Sequence, residues 1–230
     1  MRYLTYTMLV IITTFSLGCF ANINPLPDKP YLAVTGSAQV EVQPDQVLIQ
    51  FKATAMQDTV EAAKQKVDLQ VAALLLNLEK AGFEQSVLER GNISTREQYQ
   101  YVQNQRTLQG ISAARDLTYL LTDLSKVNQF LESVTAANIN AIQQMHYGLQ
   151  SPQQWLLKAR QLAVQDSLEK AASLASAYQA KLDKIYSINY QQQHAQPIMM
   201  RAMSEKPGEN SYQVNKIKIS DQVQAVFTLE

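Results

Sequence analysis

SPQQWLLKARQLAVQDSLEKAASLASAYQAKL, residues 151–182, is the stretch whose reading decides the fold. It opens on a helix-start signal. Ser151 suits the cap, Pro152 the first helical position, and Gln154 the place from which a side chain reaches back to the cap. Apolar residues then recur at steps of three, four and seven: Leu157, Val164, Leu168, Ala171, Ala175, Tyr178 and Leu182. At 100° per residue these fall in one arc, which predicts a long helix covering a sheet. Asp166, Glu169, Lys170, Ser173 and Lys181 fall on the other side, as a solvated face. Ala171 and Ala175 are small, so a sheet can approach closely there. A helix of this kind carries no chemistry of its own.

Outward from the helix, the chain alternates. Residues 31–42 place Leu32, Val34, Ala38, Val40 and Val42 on one face, and residues 47–55 do the same with Val47, Ile49, Phe51, Ala53 and Ala55. With Gln43-Pro44-Asp45-Gln46 read as a turn, the two form an opening β-hairpin. Asp58, with Glu61 three residues on, starts a second long helix whose stripe is Val60, Ala63, Val67, Val71, Leu74, Leu78 and Ala81, and Gly82 stops it. Leu75 and Leu76 widen its apolar face. Two long strands follow, residues 87–102 and 108–121, polar on one side. A short helix over 125–137 packs through Val127, Phe130, Leu131 and Val134, and a strand over 142–149 leads into the long helix. Residues 185–190 and 214–229 are the closing strands, and Asp221 interrupts the apolar parity of the last one, which predicts a bulge or a solvated patch. The class is α+β: a mainly antiparallel β-sheet with two long helices and one short helix packed on it, in β-β-α-β-β-α-β-α-β-β order. The βαβ-like halves point to ferredoxin-like packing.

The 230 residues balance 20 Lys+Arg against 20 Asp+Glu, so the formal net charge is zero and a general attraction for nucleic acid is not expected. The N-terminus carries Arg2 and a short apolar run, Leu9–Leu17, too short for a membrane span. Cys19-Phe20-Ala21 fits signal-peptidase cleavage before Asn22, whereas Ser16-Leu17-Gly18-Cys19 resembles a lipobox, in which Cys19 would be acylated and tethered to the outer membrane. Residues 1–21 are therefore read as a signal peptide, 22–30 as a tether with Pro25, Pro27 and Pro30, and 31–230 as one domain. Cys19 is the only cysteine. A mature chain starting at Asn22 has no thiol for catalysis, disulfides or metal.

No residue pattern spells out a reaction. The two histidines are His146, inside a strand, and His194. There is no G-x-S-x-G, no phosphate-binding glycine loop and no H-E-x-x-H. No catalytic, cofactor-binding or metal-ligating residue is assigned. The sharpest local group is His194 with Met199, Met200 and Met203, in the irregular stretch 191–212, whose imidazole and thioethers suit a Cu(I) or small-ligand carrier. As apolar ballast the same methionines would fasten the loop to the body. Tyr99, Tyr101, Tyr186 and Tyr190 read as cross-strand packing.

Four segments together resemble the SIMPL-domain family of bacterial secreted or periplasmic proteins. They are Val34-Thr35-Gly36-Ser37-Ala38 followed by Val40, Val42 and Pro44-Asp45; Gly110-Ile111-Ser112-Ala113 through Leu121 into Asp123-Leu124-Ser125-Lys126; Ala159-Arg160, Ala163-Val164, Asp166-Ser167 and Lys170-Ala171; and Pro207-Gly208-Glu209. Ile111 and Arg115 stand where that family has Tyr and Asn. The resemblance implies a non-enzymatic α+β domain, ring-like or channel-like homo-oligomers, and a role in oxidative-stress defence. It carries over no catalytic residue, cofactor or ligand.

Overall fold

The computed structural model describes residues 27–102, 105–191 and 215–230. Seven strands and three α-helices follow one another as β1 (Tyr31–Val42), β2 (Gln46–Gln57), α1 (Val60–Lys80), β3 (Glu89–Val102), β4 (Gln105–Leu121), α2 (Val127–Ala136), β5 (Ala141–Gly148), α3 (Pro152–Ala177), β6 (Leu182–Asn189) and β7 (Ile217–Leu229). The α+β class and the element order are those read from the sequence.

The strands form two sheets rather than one, with orders β1-β7-β6 and β3-β4-β2-β5, every pair antiparallel. The expected opening hairpin does not exist. β1 pairs with β7, and β2 lies between β4 and β5. The joint explains why. A tight hairpin needs a residue at positive φ; among the described residues those are Asn138, Gln179, Gly82 and Gly110, none of them near 43–45. Pro44 also holds Gln43 extended. The chain therefore runs straight from one sheet into the other. The return crossing, from β5 to α3, lies beside it. The Asp45 amide donates to the Gly148 carbonyl at 3.1 Å, and the Asp45 carboxylate accepts from the Gln150 amide at 2.7 Å.

Each sheet is built on the same unit. β2 and β3 run parallel, joined by α1, with β4 between them. With α2 and β5 added, residues 46–148 form the split β-α-β arrangement of ferredoxin-like folds. β1 and β6 likewise run parallel with β7 between them, and their crossover helix is α3. The second unit is thus interrupted by the first, which is inserted between β1 and α3.

The main core belongs to the inserted unit. Ala63, Val67, Val71, Leu74 and Leu78 of α1 pack on Val47, Ile49, Phe51, Leu117 and Tyr119, with Phe130 and Val134 of α2 closing the layer. Phe130 meets Phe51 edge-on at 5.9 Å and Phe83 at 5.5 Å between centroids. Thr59, not Asp58, caps α1, accepting from the Ala62 amide at 3.2 Å. Gly82 at φ +76° ends it as expected. Leu76 is exposed, so this helix is covered on one side only. The opposite face of the four-stranded sheet faces solvent, as the polar alternation of its strands indicates.

Candidate functional site

The polar residues that the structure concentrates lie where α3 meets its sheet. Helix α3 ends at Ala177, and Leu182 begins β6 instead of extending the helix. Ser151 makes no side-chain capping bond. The buried row is Ala159, Ala163, Ser167, Ala171 and Ala175, one residue every four. Of the expected stripe, Leu157, Val164, Leu168 and Tyr178 are exposed, and Ala171 and Ala175 are buried. A four-residue spacing advances the row by about 40° per step, so it slants around the helix axis along an i±4 ridge. The large side chains flank the contact; the small ones make it.

Small residues there permit backbone contact. A Cβ on Gly36 would lie 2.0 Å from the Ala163 carbonyl oxygen and 2.7 Å from the Ser167 Cβ. Only glycine leaves room for this crossing. Ser167 is buried, and its hydroxyl donates to the Val164 carbonyl of its own helix at 2.7 Å, so its polarity is satisfied locally. On either side of Gly36, α3 grips the strand. The Ser37 amide donates to Asp166 Oδ2 at 2.8 Å, Lys170 Nζ donates to the Thr35 carbonyl at 3.2 Å, and Lys170 pairs with Asp166 at 2.6 Å. Asp166 and Lys170 remain reached by water, as their helical phase suggested, and they also reach the strand backbone. The Lys170 bond, then the Ser37 amide, outweigh desolvation and hold the Asp166 carboxyl below its ordinary value.

A second clasp lies further along. Asp221 is neither at a bulge nor solvated. Its register with Ala38 is regular, and its side chain is 3 % exposed. Arg160 Nε donates to Asp221 Oδ2 at 3.2 Å and Arg160 Nη2 to the Tyr190 hydroxyl at 2.6 Å, while that hydroxyl donates to Asp221 Oδ2 at 3.0 Å. The guanidinium also lies 4.5 Å from the Tyr190 ring centroid. Asp221 Oδ1 accepts from the Gln222 amide at 2.8 Å. Desolvation works against the Arg160 charge, but the bonds to Asp221 and Tyr190 overcome it and raise its affinity for the proton. A cation, a phenol and a carboxylate are thereby closed on one another. Tyr190 follows β6 and Asp221 lies within β7, so the clasp ties α3 to both neighbouring strands of its sheet. Beside it on the far side of the sheet, Asn189, Gln191, Gln222 and Gln224 line an open hollow of about 310 Å³, to which these described residues offer amides.

The remaining sequence candidates are dispersed. His146 sits on β5 opposite Leu48, exposed at a sheet edge. Tyr99 and Tyr101 lie on the ribbon formed by the ends of β3 and β4. There the Arg106 guanidinium covers the Tyr99 ring at 3.6 Å and Tyr101 is exposed. Tyr186 is exposed on β6, and Tyr190 enters the buried cluster with Arg160 and Asp221. His194, Met199, Met200 and Met203 lie outside the described residues, as does Cys19. Among the described residues no group of three His, Cys, Asp or Glu side chains could hold a metal ion. Sequence reasoning missed both clasps. The parity break at Asp221 was visible, but its partner stands 61 positions away.

Compared with known proteins, residues 32–227 match the family model SIMPL, described as a protein of unknown function (DUF541). The chain is 28 % identical over 218 residues to an uncharacterized protein, YggE, of Escherichia coli K12, covering 93 % of this chain and 89 % of that one. It is 29 % identical over 212 residues to the uncharacterized protein YggE of Edwardsiella ictaluri, covering 89 % of each. It is 24 % identical over 231 residues to the 26 kDa periplasmic immunogenic protein of Brucella melitensis biotype 1, covering 92 % of both chains.

Proposed function

This chain belongs to the SIMPL family, and from that premise we propose that it is a non-enzymatic periplasmic protein that supports envelope or oxidative-stress tolerance by assembling into homo-oligomers. One observation carries the reading. Three charged residues through which the chain resembles its family, Arg160, Asp166 and Lys170, spend their side chains on Asp221, Tyr190, the Ser37 amide and the Thr35 carbonyl, binding a helix to a sheet. Residues committed in this way build a scaffold. The apolar N-terminal segment and the relative named as a periplasmic protein support export.

Light scattering and intact mass on protein purified from its native envelope test the proposal. A discrete multiple of the chain mass, beginning at Asn22 or at an acylated Cys19, is the expected result, together with increased peroxide sensitivity when the protein is deleted. A monomer at high concentration, with peroxide sensitivity unchanged, overturns it. The rival reading, a metal or small-ligand carrier, rests on the sequence grouping of His194 with Met199, Met200 and Met203. Replacing the three methionines by leucine and measuring Cu(I) binding separates the two: binding that is lost favours the carrier.

A further inference from the structure

Two folded units joined by chain crossings move against each other unless a large apolar interface holds them. Here the cores stay apart. The largest buried cluster draws on residues 47–139, and the two others draw on residues 34–42, 149–171 and 217–227. Helix α1 packs on β2, β4 and α2, whereas α3 packs on β1, β7 and β6. Every ion pair among the described residues also lies within one unit. The chain passes between the units twice, at 43–45 and at 149–151. On the first passage, Val42 is buried in one core and Val47 in the other. On the second, Gly148 alone separates Tyr147, which packs on the α1 core, from Leu149, which is buried beside α3. The backbone that can turn is therefore confined to a few residues lying side by side.

We propose that this joint is a hinge between the two units and that the Asp45 side chain is its latch. Each passage alone would turn about its own backbone bonds, apart from the φ that Pro44 fixes. Bonded to one another, the two passages turn only together. The Asp45 amide donates to the Gly148 carbonyl, and the Gln46 side chain donates to the Leu149 carbonyl, each at 3.1 Å. Asp45 then holds Gln150 twice. Its carboxylate accepts from the Gln150 amide at 2.7 Å, and its carbonyl accepts from the Gln150 side chain at 3.0 Å. The carboxylate bond is the shortest of the four, and a charged acceptor makes a bond about twice as strong as a neutral one. Asp45 is also exposed, so water replaces its partner when the joint opens, and opening leaves no buried group unpaired. A strong bond that water can replace suits a latch that holds one angle and releases it. The device belongs to the single chain and does not rest on the assembly reading above.

Distances between paired nitroxide labels, measured by double electron–electron resonance on the full chain, test the proposal. Cys19→Ser leaves no other cysteine, so labels attach only where cysteine is introduced. One pair spans the joint, Lys64→Cys on α1 with Ser173→Cys on α3, and both positions are exposed. A second pair, Lys64→Cys with Asn128→Cys, lies within one unit. Dilution with unlabelled protein restricts the signal to distances inside one chain. With Asp45 present, the distance across the joint has one narrow distribution. Asp45→Ala shifts or widens that distribution by more than about 2 Å, the scale of a hinge rearrangement, and leaves the pair within one unit unchanged. A distance across the joint that Asp45→Ala does not alter overturns the proposal. So does an equal change in the pair within one unit, because the variant has then loosened the fold and not the joint. A distribution that is already broad with Asp45 present overturns the latch as well.

Discussion

In the unit built on β2, helix α1 meets its sheet through Val67, Val71, Leu74 and Leu78, and Phe130 fills the space beyond with Phe51, Phe83 and Tyr119 around it. In the unit built on β1, helix α3 meets its sheet through Ala159, Ala163, Ser167, Ala171 and Ala175, and charged clasps hold it in place. The strand order and the crossover are the same. The first unit is held by apolar area, to which each methylene removed from water contributes about 0.8 kcal/mol. The second gains little area from alanine. It depends on close backbone approach and on polar groups that find partners as the surfaces close. One architecture therefore fails in two ways: the first unit when atoms are removed, the second when atoms are added.

The largest effect is expected in the first unit. Phe130 is completely buried and touches three other rings. Phe130→Ala leaves a cavity among them and costs about 3–5 kcal/mol in urea denaturation. A loss below about 1 kcal/mol would mean the core collapses to fill the gap, and that the two units differ less than their side chains suggest.

Gly36→Ala makes the opposite change and comes next, with a loss of about 1–3 kcal/mol from overpacking. The obstacle is the Ala163 carbonyl, 2.0 Å from the added Cβ, so Ser167→Gly does not rescue the variant. Rescue by Ser167→Gly would show that side chains, not the backbone, set the distance between α3 and β1.

Asp221→Asn keeps the shape of the second clasp but leaves Arg160 and Tyr190 without the carboxylate between them. Removing one partner of a buried pair is costly, and thermal unfolding should fall by roughly 5–10 °C for a chain of this size. A drop of under about 1 °C would make the clasp ornamental and leave the alanine contacts and the Asp166–Lys170 clasp to hold the sheet.

The two units also differ in how much of them could be read from the sequence. The strands and helices of both were legible, because Val47, Ile49, Phe51 and Ala53 alternate, and Ala63, Val67, Val71, Leu74 and Leu78 recur, on the faces they bury. The β2 unit was legible further, since its buried residues are also its largest apolar ones. In α3 that link breaks. Its leucines define a clean stripe that ends up exposed, and its contact face is alanine and serine, to which a hydrophobic period gives little weight. The division into two sheets was not legible either, because strand pairing is a long-range choice. Val42 and Gln46 stand four positions apart yet belong to different sheets, and Val42 pairs with Ile217. The candidate site fared similarly. Arg160, Asp166 and Lys170 were noticed as a pattern along one helix, whereas their partners come from β1, Tyr190 and β7.

The smallest effect tests whether the exposed clasp contributes at all. Asp166 is reached by water, and its bonds to Lys170 and the Ser37 amide compete with hydration. Those bonds depress its folded-state pKa below the ordinary 3.8 of the unfolded chain. A depressed carboxyl adds stability that is fully present above the unfolded value and is lost as pH falls through the folded one. The native protein should therefore lose stability on acidification below that range. Asp166→Asn should remove part of that loss by giving up, at neutral pH, the small stability the carboxylate adds there, so that the two proteins converge in acid. Urea midpoints measured from neutral pH down to about pH 3 give the comparison. Parallel curves for the two proteins would mean the carboxylate gains nothing from β1. Gly36, the alanine row and the Arg160–Asp221 clasp would then hold the helix, and the Asp166–Lys170 pair would serve the strand edge rather than the stability of the fold.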